Sequence, residues 1–73
     1  MENKKYELEE IEERSFGVIR YKYYKVINYD GNEEKIKEYI KQLNNDSCFN
    51  IDYRIKNIEN NEAIIEETID TLD

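Results

Sequence analysis

The side chains of this sequence that are able to do chemistry are carboxylates, tyrosines and one thiol. Glu9/Glu10 and Glu66/Glu67 are adjacent acids, the residue type for general acid–base work or for oxygen ligation of Mg²⁺ or Ca²⁺. Adjacent acids are also what a solvated surface carries, and the stretch around Asp30-Gly31-Asn32 lacks the ligand spacing of a calcium loop. Cys48 has no histidine and no close basic neighbour to ionise it, so its expected place is a small buried side chain at a strand start. The chain contains no histidine. That removes Ser-His and Cys-His pairs and the familiar zinc sites. Two glycines, Gly17 and Gly31, cannot build a phosphate-cradling loop. The expectation is a protein that is not an enzyme and uses no cofactor and no metal.

What remains is charge and aromatic surface. Asp plus Glu is 18 against 11 Lys plus Arg, a net charge of −7. Residues 1–13 carry −4, residues 14–28 carry +4, and residues 59–73 carry −6. Acidic ends thus flank a basic, tyrosine-rich stretch. Glu62, Glu66 and Asp70 are spaced by four, which lines one face of a helix or of a strand. Glu7 and Glu9 in a strand sit about 6.6 Å apart on one side. Such rows resemble the regular negative charge of a nucleic-acid backbone, and a basic nucleic-acid groove would attract them. The plainer reading is a solvated face that keeps a small domain in solution. Tyr24 and Tyr29, with Tyr6, are read as exposed, and exposed tyrosines anchor protein interfaces. The candidate partner-binding residues are therefore Glu7, Glu9, Tyr24, Tyr29, Glu62, Glu66 and Asp70. Arg20, Lys22, Tyr24 and Lys25 interleave positive charge with an aromatic, as single-strand binders do. The overall charge repels phosphate, however, and pairing of Arg20 and Lys22 with Glu7 and Glu9 across strands would neutralise them.

The elements that must position these residues follow from periodicity. In residues 1–13 Tyr6 and Leu8 alternate with Glu7 and Glu9, which predicts a strand, with Arg14-Ser15 as the turn after it. Residues 16–29 form a β-branched and aromatic run, hence a second strand. Its odd face, Ile19, Tyr21, Tyr23, Ile27 and Tyr29, is the more apolar, and a bulge near Tyr24 would repair the break at Lys25. Ile36, Tyr39, Ile40 and Leu43 fall on one stripe and predict a helix over about 33–44, with Asn32 as N-cap and Asn44-Asn45 closing it. Phe49, Ile51, Tyr53 and Ile55 alternate with Asn50, Asp52, Arg54 and Lys56, a strand with one wet face. Glu59-Asn60-Asn61-Glu62 is a turn. The last segment, 62–72, fits a strand through Ala63, Ile65 and Ile69, or a helix through Ile65, Ile69 and Leu72; the short turn before it favours the strand.

The fold class is α+β: one domain over residues 1–73, an antiparallel ββαββ sheet with a single helix packed on one face. The expected core is Ile19, Tyr21, Ile27, Ile36, Tyr39, Ile40, Leu43, Phe49, Ile51, Tyr53, Ile55, Ile65 and Ile69. No apolar run approaches the ~20 residues of a membrane span, and the start, Met1-Glu2-Asn3-Lys4-Lys5-Tyr6, does not read as a secretory signal. A lone cysteine suits a reducing compartment. The expected location is the cytoplasm.

In its order of strand, helix and hairpin, and in Glu7-Leu8-Glu9-Glu10-Ile11-Glu12-Glu13 leading to Val18-Ile19-Arg20, the chain is similar to half of the GyrI-like effector-binding fold. That similarity covers under a third of the chain, and no residue role is carried over from it. In size, charge and lack of catalytic motifs the chain resembles the small acidic inhibitors that phages and other mobile elements use against host defence, anti-CRISPR proteins among them. The resemblance implies a plug: carboxylates of the first and last segments docking on the basic channel of a nucleic-acid-handling protein, with tyrosines as anchors. Two other readings stand beside it. One is a dimeric ligand-binding module with a Tyr- and Glu-lined pocket. The other is a structural or regulatory subunit that forms a homo-oligomer.

Overall fold

The structure is a computed structural model and describes residues 5–71. Met1–Lys4, Leu72 and Asp73, with the charges and the Leu72 contact expected of them, lie outside the described residues. The elements follow in the order β1 (Glu7–Phe16), β2 (Ile19–Ile27), α1 (Glu33–Asp46), β3 (Ile51–Glu59) and β4 (Glu62–Asp70). They build a four-stranded antiparallel sheet in the order β1-β2-β4-β3 with one helix, so the chain is an α+β domain of ββαββ order. The last segment is a strand. Asn60 and Asn61, both at positive φ (52° and 62°), make the two-residue turn that closes β3 on β4. Asparagine tolerates that backbone better than most residues, and two positive φ values match the right-handed strand twist.

The first hairpin turns later than Arg14-Ser15. β1 runs on to Phe16, and Phe16 pairs with Ile19 around Gly17 and Val18. Gly17 (φ 62°) supplies the left-handed residue that Arg14 and Ser15 would adopt only at a cost. The expected bulge lies beside Tyr24 but on the partner strand. Glu10 pairs with Tyr24 and Glu12 with Tyr23, so Ile11 is the extra residue. A second irregularity sets Lys56 out of register in β3.

The helix begins as its cap dictates: the Lys35 backbone N–H donates to Asn32 Oδ1 at 3.0 Å. It runs past Asn44 to Asp46, and Ser47 closes it by donating from its backbone N–H to the Asn44 carbonyl. The Asn44 amide does something else. It donates to the Tyr53 carbonyl (3.0 Å) and accepts from the Tyr53 N–H (2.7 Å), covering part of the outer edge of β3. An edge strand otherwise leaves such groups open to another chain.

The core lies between α1 and one sheet face: Tyr6, Val26, Ile36, Ile40, Ala63 and Ile65, with Leu8, Tyr24, Tyr29, Tyr39, Leu43, Tyr53, Ile55 and Ile58 packed around it. Six expected core residues fall outside it: Ile51 and Ile69 pair with each other, half-buried, beyond the cluster, and four lie elsewhere. Ile19, Tyr21 and Ile27 lie on the helix-free face, because pairing of Tyr24 with Ile65 turns the even positions of β2 toward the helix. The sequence of β2 alone favours its odd face, and the joint burial of Val26 and Tyr24 with Ala63, Ile65 and the helix overrides it. Phe49 precedes β3 and is fully exposed, and Cys48 beside it is also exposed, not buried.

Candidate functional site

The sheet register shows which acids meet. Glu7, opposite Ile27, ends the β1–β2 ladder, and Glu59, opposite Glu62, ends the β3–β4 ladder. Pairing of Lys25 with Ile64 places these two ladder ends at the same end of the sheet. The loop that leaves β2 there carries Asp30, and the helix starts beside it with Glu33 and Glu34. Glu7, Glu9, Asp30, Glu33, Glu59 and Glu62 thus converge from separate stretches of sequence on one end of the molecule. All six are exposed. Lys25 and Lys35 are cations among them, and Lys35 pairs with Asp30. Lys25 lies opposite Glu9, and its Nζ is 3.6 Å from Glu62.

Asp30 organises this end. Tyr6 Oη donates to Asp30 Oδ1 at 2.5 Å, the Asn32 N–H donates to the same oxygen at 3.1 Å, and Lys35 Nζ lies 3.3 Å from Oδ2. Lys35 also sits over the Tyr6 ring, 4.9 Å from its centroid, and Tyr6 packs edge-on against Tyr39. The Tyr6 hydroxyl, the Asn32 N–H and the Lys35 ammonium hold the Asp30 carboxyl down at about 2. A carboxyl depressed on folding stabilises the fold above its ordinary range, and that contribution fades as the pH falls through its folded value. Replacing Asp30 with Asn is therefore expected to lower the thermal midpoint above about pH 4, with the gap to wild type closing as the pH approaches 2. A gap that stays constant over that interval in pH-dependent melts would show that the charge of Asp30 is not what its partners use.

The seven residues expected to bind a partner are divided by the fold. Glu7, Glu9, Glu62 and Tyr29 are brought together at the acidic end. Tyr29 lines a depression of about 340 Å³ with Lys25, Asn28, Asn61 and Glu62, and its hydroxyl is buried without a hydrogen-bond partner. Asp70 lies at the opposite end of the sheet, paired with Ile19. Glu66 is only 4% exposed. Burial pushes its carboxyl up, but hydrogen bonds from Arg54 (Nε to Oε1, 2.5 Å) and Tyr23 outweigh this and hold it below the usual range. Tyr24 is not an exposed anchor. It packs on the core and donates to Glu67 Oε1 at 2.6 Å, while Tyr53 donates to Glu67 Oε2 at 2.7 Å. Burial first, and then the Glu67 hydrogen bond, push both phenols well above their ordinary value. Tyr6 is likewise buried, and Tyr29 is half-buried against the core, rather than exposed.

The basic strand is matched across the first hairpin, by acids further along β1 than those expected. Lys22 meets Glu10 at 4.0 Å and Arg20 meets Glu13 at 3.9 Å, not Glu9 and Glu7. Sequence reasoning missed Asp30, Glu33 and Glu59 at the acidic end. Each flanks a turn signal, but only the strand order shows that both turns lie at one end. Among the described residues no group of three or more His, Cys, Asp or Glu side chains is placed to hold a metal ion, and no helix is long and apolar enough to cross a membrane. Compared with family models, with curated proteins and with solved structures, the chain matches none.

Proposed function

We propose that this chain is a non-enzymatic, protein-binding inhibitor that docks its acidic end on a basic surface of a nucleic-acid-handling protein and competes there with the nucleic acid. The observation that supports this reading is the convergence of Glu7, Glu9, Asp30, Glu33, Glu59 and Glu62 on one end of the sheet, where Lys25 and Lys35 pair with Glu62 and Asp30 and the acids remain in excess. A cluster held by strands and a capped helix loses little conformational freedom on docking, and its field attracts a basic groove over a range set by salt. Tyr29 adds an aromatic edge beside the carboxylates. Asp70 and Glu66 are left out of the docking surface, since the one lies at the far end and the other is already bound to Arg54. In this reading the partner is a defence protein of the kind that anti-CRISPR-like inhibitors block, and the encounter takes place in the cytoplasm.

The test is affinity capture at low salt, followed by competition. The captured protein is expected to bind nucleic acid, and an oligonucleotide is expected to displace the inhibitor from it. Affinity should fall roughly tenfold or more between 50 and 200 mM salt. Glu7→Lys/Glu9→Lys/Glu62→Lys, all at exposed positions, should weaken binding roughly a hundredfold with the circular-dichroism spectrum unchanged. Capture that survives both the triple reversal and excess oligonucleotide rules this mechanism out.

A further inference from the structure

We propose that the helix-free face of the sheet is the contact surface of a homodimer, with a second copy stacked face to face about a twofold axis that runs along the strands. The inference does not rest on the docking role of the acidic end. Three observations carry it.

The first is composition. Only one face of the sheet is covered by α1, yet the other is the more apolar side of β2, because the covered side carries Arg20 and Lys22 beside Tyr24 and Val26. Ile19, Tyr21, Tyr23 and Ile27 project from the uncovered side, joined by Ile64 of β4 and by Phe16 of β1. Phe16 is 64% exposed although it already stacks edge-on against Tyr21, with ring centroids 5.9 Å apart. Apart from Lys25, the uncovered side of β2 is apolar along its length, a contiguous patch of the kind that marks a contact surface.

The second is charge. In one row across the sheet lie Glu12, Tyr23, Glu66 and Arg54; in the next lie Arg14, Tyr21, Thr68 and Asp52. A twofold axis along the strands lays β1 of one copy over β3 of the other and keeps each row in place. Glu12 then faces the partner's Arg54, and Arg14 faces the partner's Asp52, each arginine adding this contact to the ion pair it makes in its own chain, Arg14 with Glu12 and Arg54 with Glu66. The sign is complementary in both rows. A twofold axis across the strands that keeps the whole face overlapped passes through the middle row and stacks Glu12 on the partner's Glu12 and Arg54 on the partner's Arg54, so full overlap with complementary charge selects the axis along the strands. Only the corner contact, Glu7 over the partner's Glu59, sets like against like, and both side chains are at the rim, where solvent screens them.

The third is area. Four strands of nine or ten residues present a face of about 19 by 30 Å, so a stacked pair removes on the order of 1,200 Å² in total. That is enough for a specific dimer.

The experiment is sedimentation equilibrium of the full chain over a wide concentration range. The expected mass is twice 8.9 kDa at high concentration. Arg14→Asp and Asp52→Arg each set like charges face to face and should weaken dimerisation roughly tenfold or more. The double variant Arg14→Asp/Asp52→Arg exchanges the signs and should recover wild-type affinity to within about threefold. Both positions are exposed on outer strands, so circular dichroism and thermal midpoints are expected to stay near wild type. A chain that stays monomeric up to millimolar concentration overturns the dimer. So do single variants that dimerise as well as wild type, and a double variant that stays as weak as the singles.

Discussion

Ile65→Ala is expected to cost about 3–4 kcal/mol and to lower the thermal midpoint by roughly 15–25 °C. Ile65 is fully buried in the central strand β4, between Tyr24 on β2 and Ile55 on β3, and belongs to the cluster on which α1 packs. Truncation leaves a void that neighbouring strands cannot close without breaking register with one another. Ile36, equally buried on the facing helix, should behave alike. The effect is large because the domain is small. A chain of this length has a stability on the order of 5 kcal/mol, so one lost isoleucine removes most of it. Ile11→Ala is the control: Ile11 is 52% exposed at the β1 bulge, and its removal should change stability by less than about 0.5 kcal/mol. Thermal and urea melts of the three variants read this directly. Equal losses at Ile11 and Ile65 would place the core on the wrong face of the sheet.

Glu67→Ala is the second large effect, at about 2–4 kcal/mol. Glu67 is 7% exposed, and its carboxylate takes one hydrogen bond from each of Tyr24 and Tyr53, tying β2 and β3 to the strand between them. Removing it strands two hydroxyls in a half-buried setting. Removing the hydroxyls instead, in Tyr24→Phe/Tyr53→Phe, strands the carboxylate and should cost at least as much. Replacing all three, with Glu67→Leu added to the phenylalanines, should bring stability back to within about 1 kcal/mol of wild type. The signature is non-additivity: the triple variant is more stable than the tyrosine double variant. Equilibrium urea melts that show the three changes simply adding would mean that the hydroxyls and the carboxylate do not act as a unit.

These two predictions concern neighbours in one strand that sequence alone does not rank. Glu66 and Glu67 are adjacent acids, and either suits a surface. Strand alternation sends them to opposite faces, Glu66 to Arg54 and Glu67 to the two tyrosines. The row Glu62, Glu66, Asp70 was legible as a row on one face. Its fate was not, because the spacing of residues along a strand says nothing about which cation lies on the next one. Tyr24 shows the same limit: a tyrosine in an apolar strand suits an interface or a core, and the acceptor that decides between them is 43 residues away.

The amino-acid sequence by itself determined whatever depends on neighbours a few residues off. The helix from Glu33 follows from its apolar stripe and the Asn32 cap, the β3 strand from strict alternation over Ile51–Ile55, and the turn at Asn60-Asn61 from residues that tolerate positive φ. Each is local, and local energies suffice to set it. Tertiary structure alone decided which face of β2 meets the helix, where the bulge falls, and that the acids of β1, the helix start and the β3–β4 turn share one end. Those outcomes depend on strand order and register, which arise from the joint burial of distant side chains rather than from any single segment.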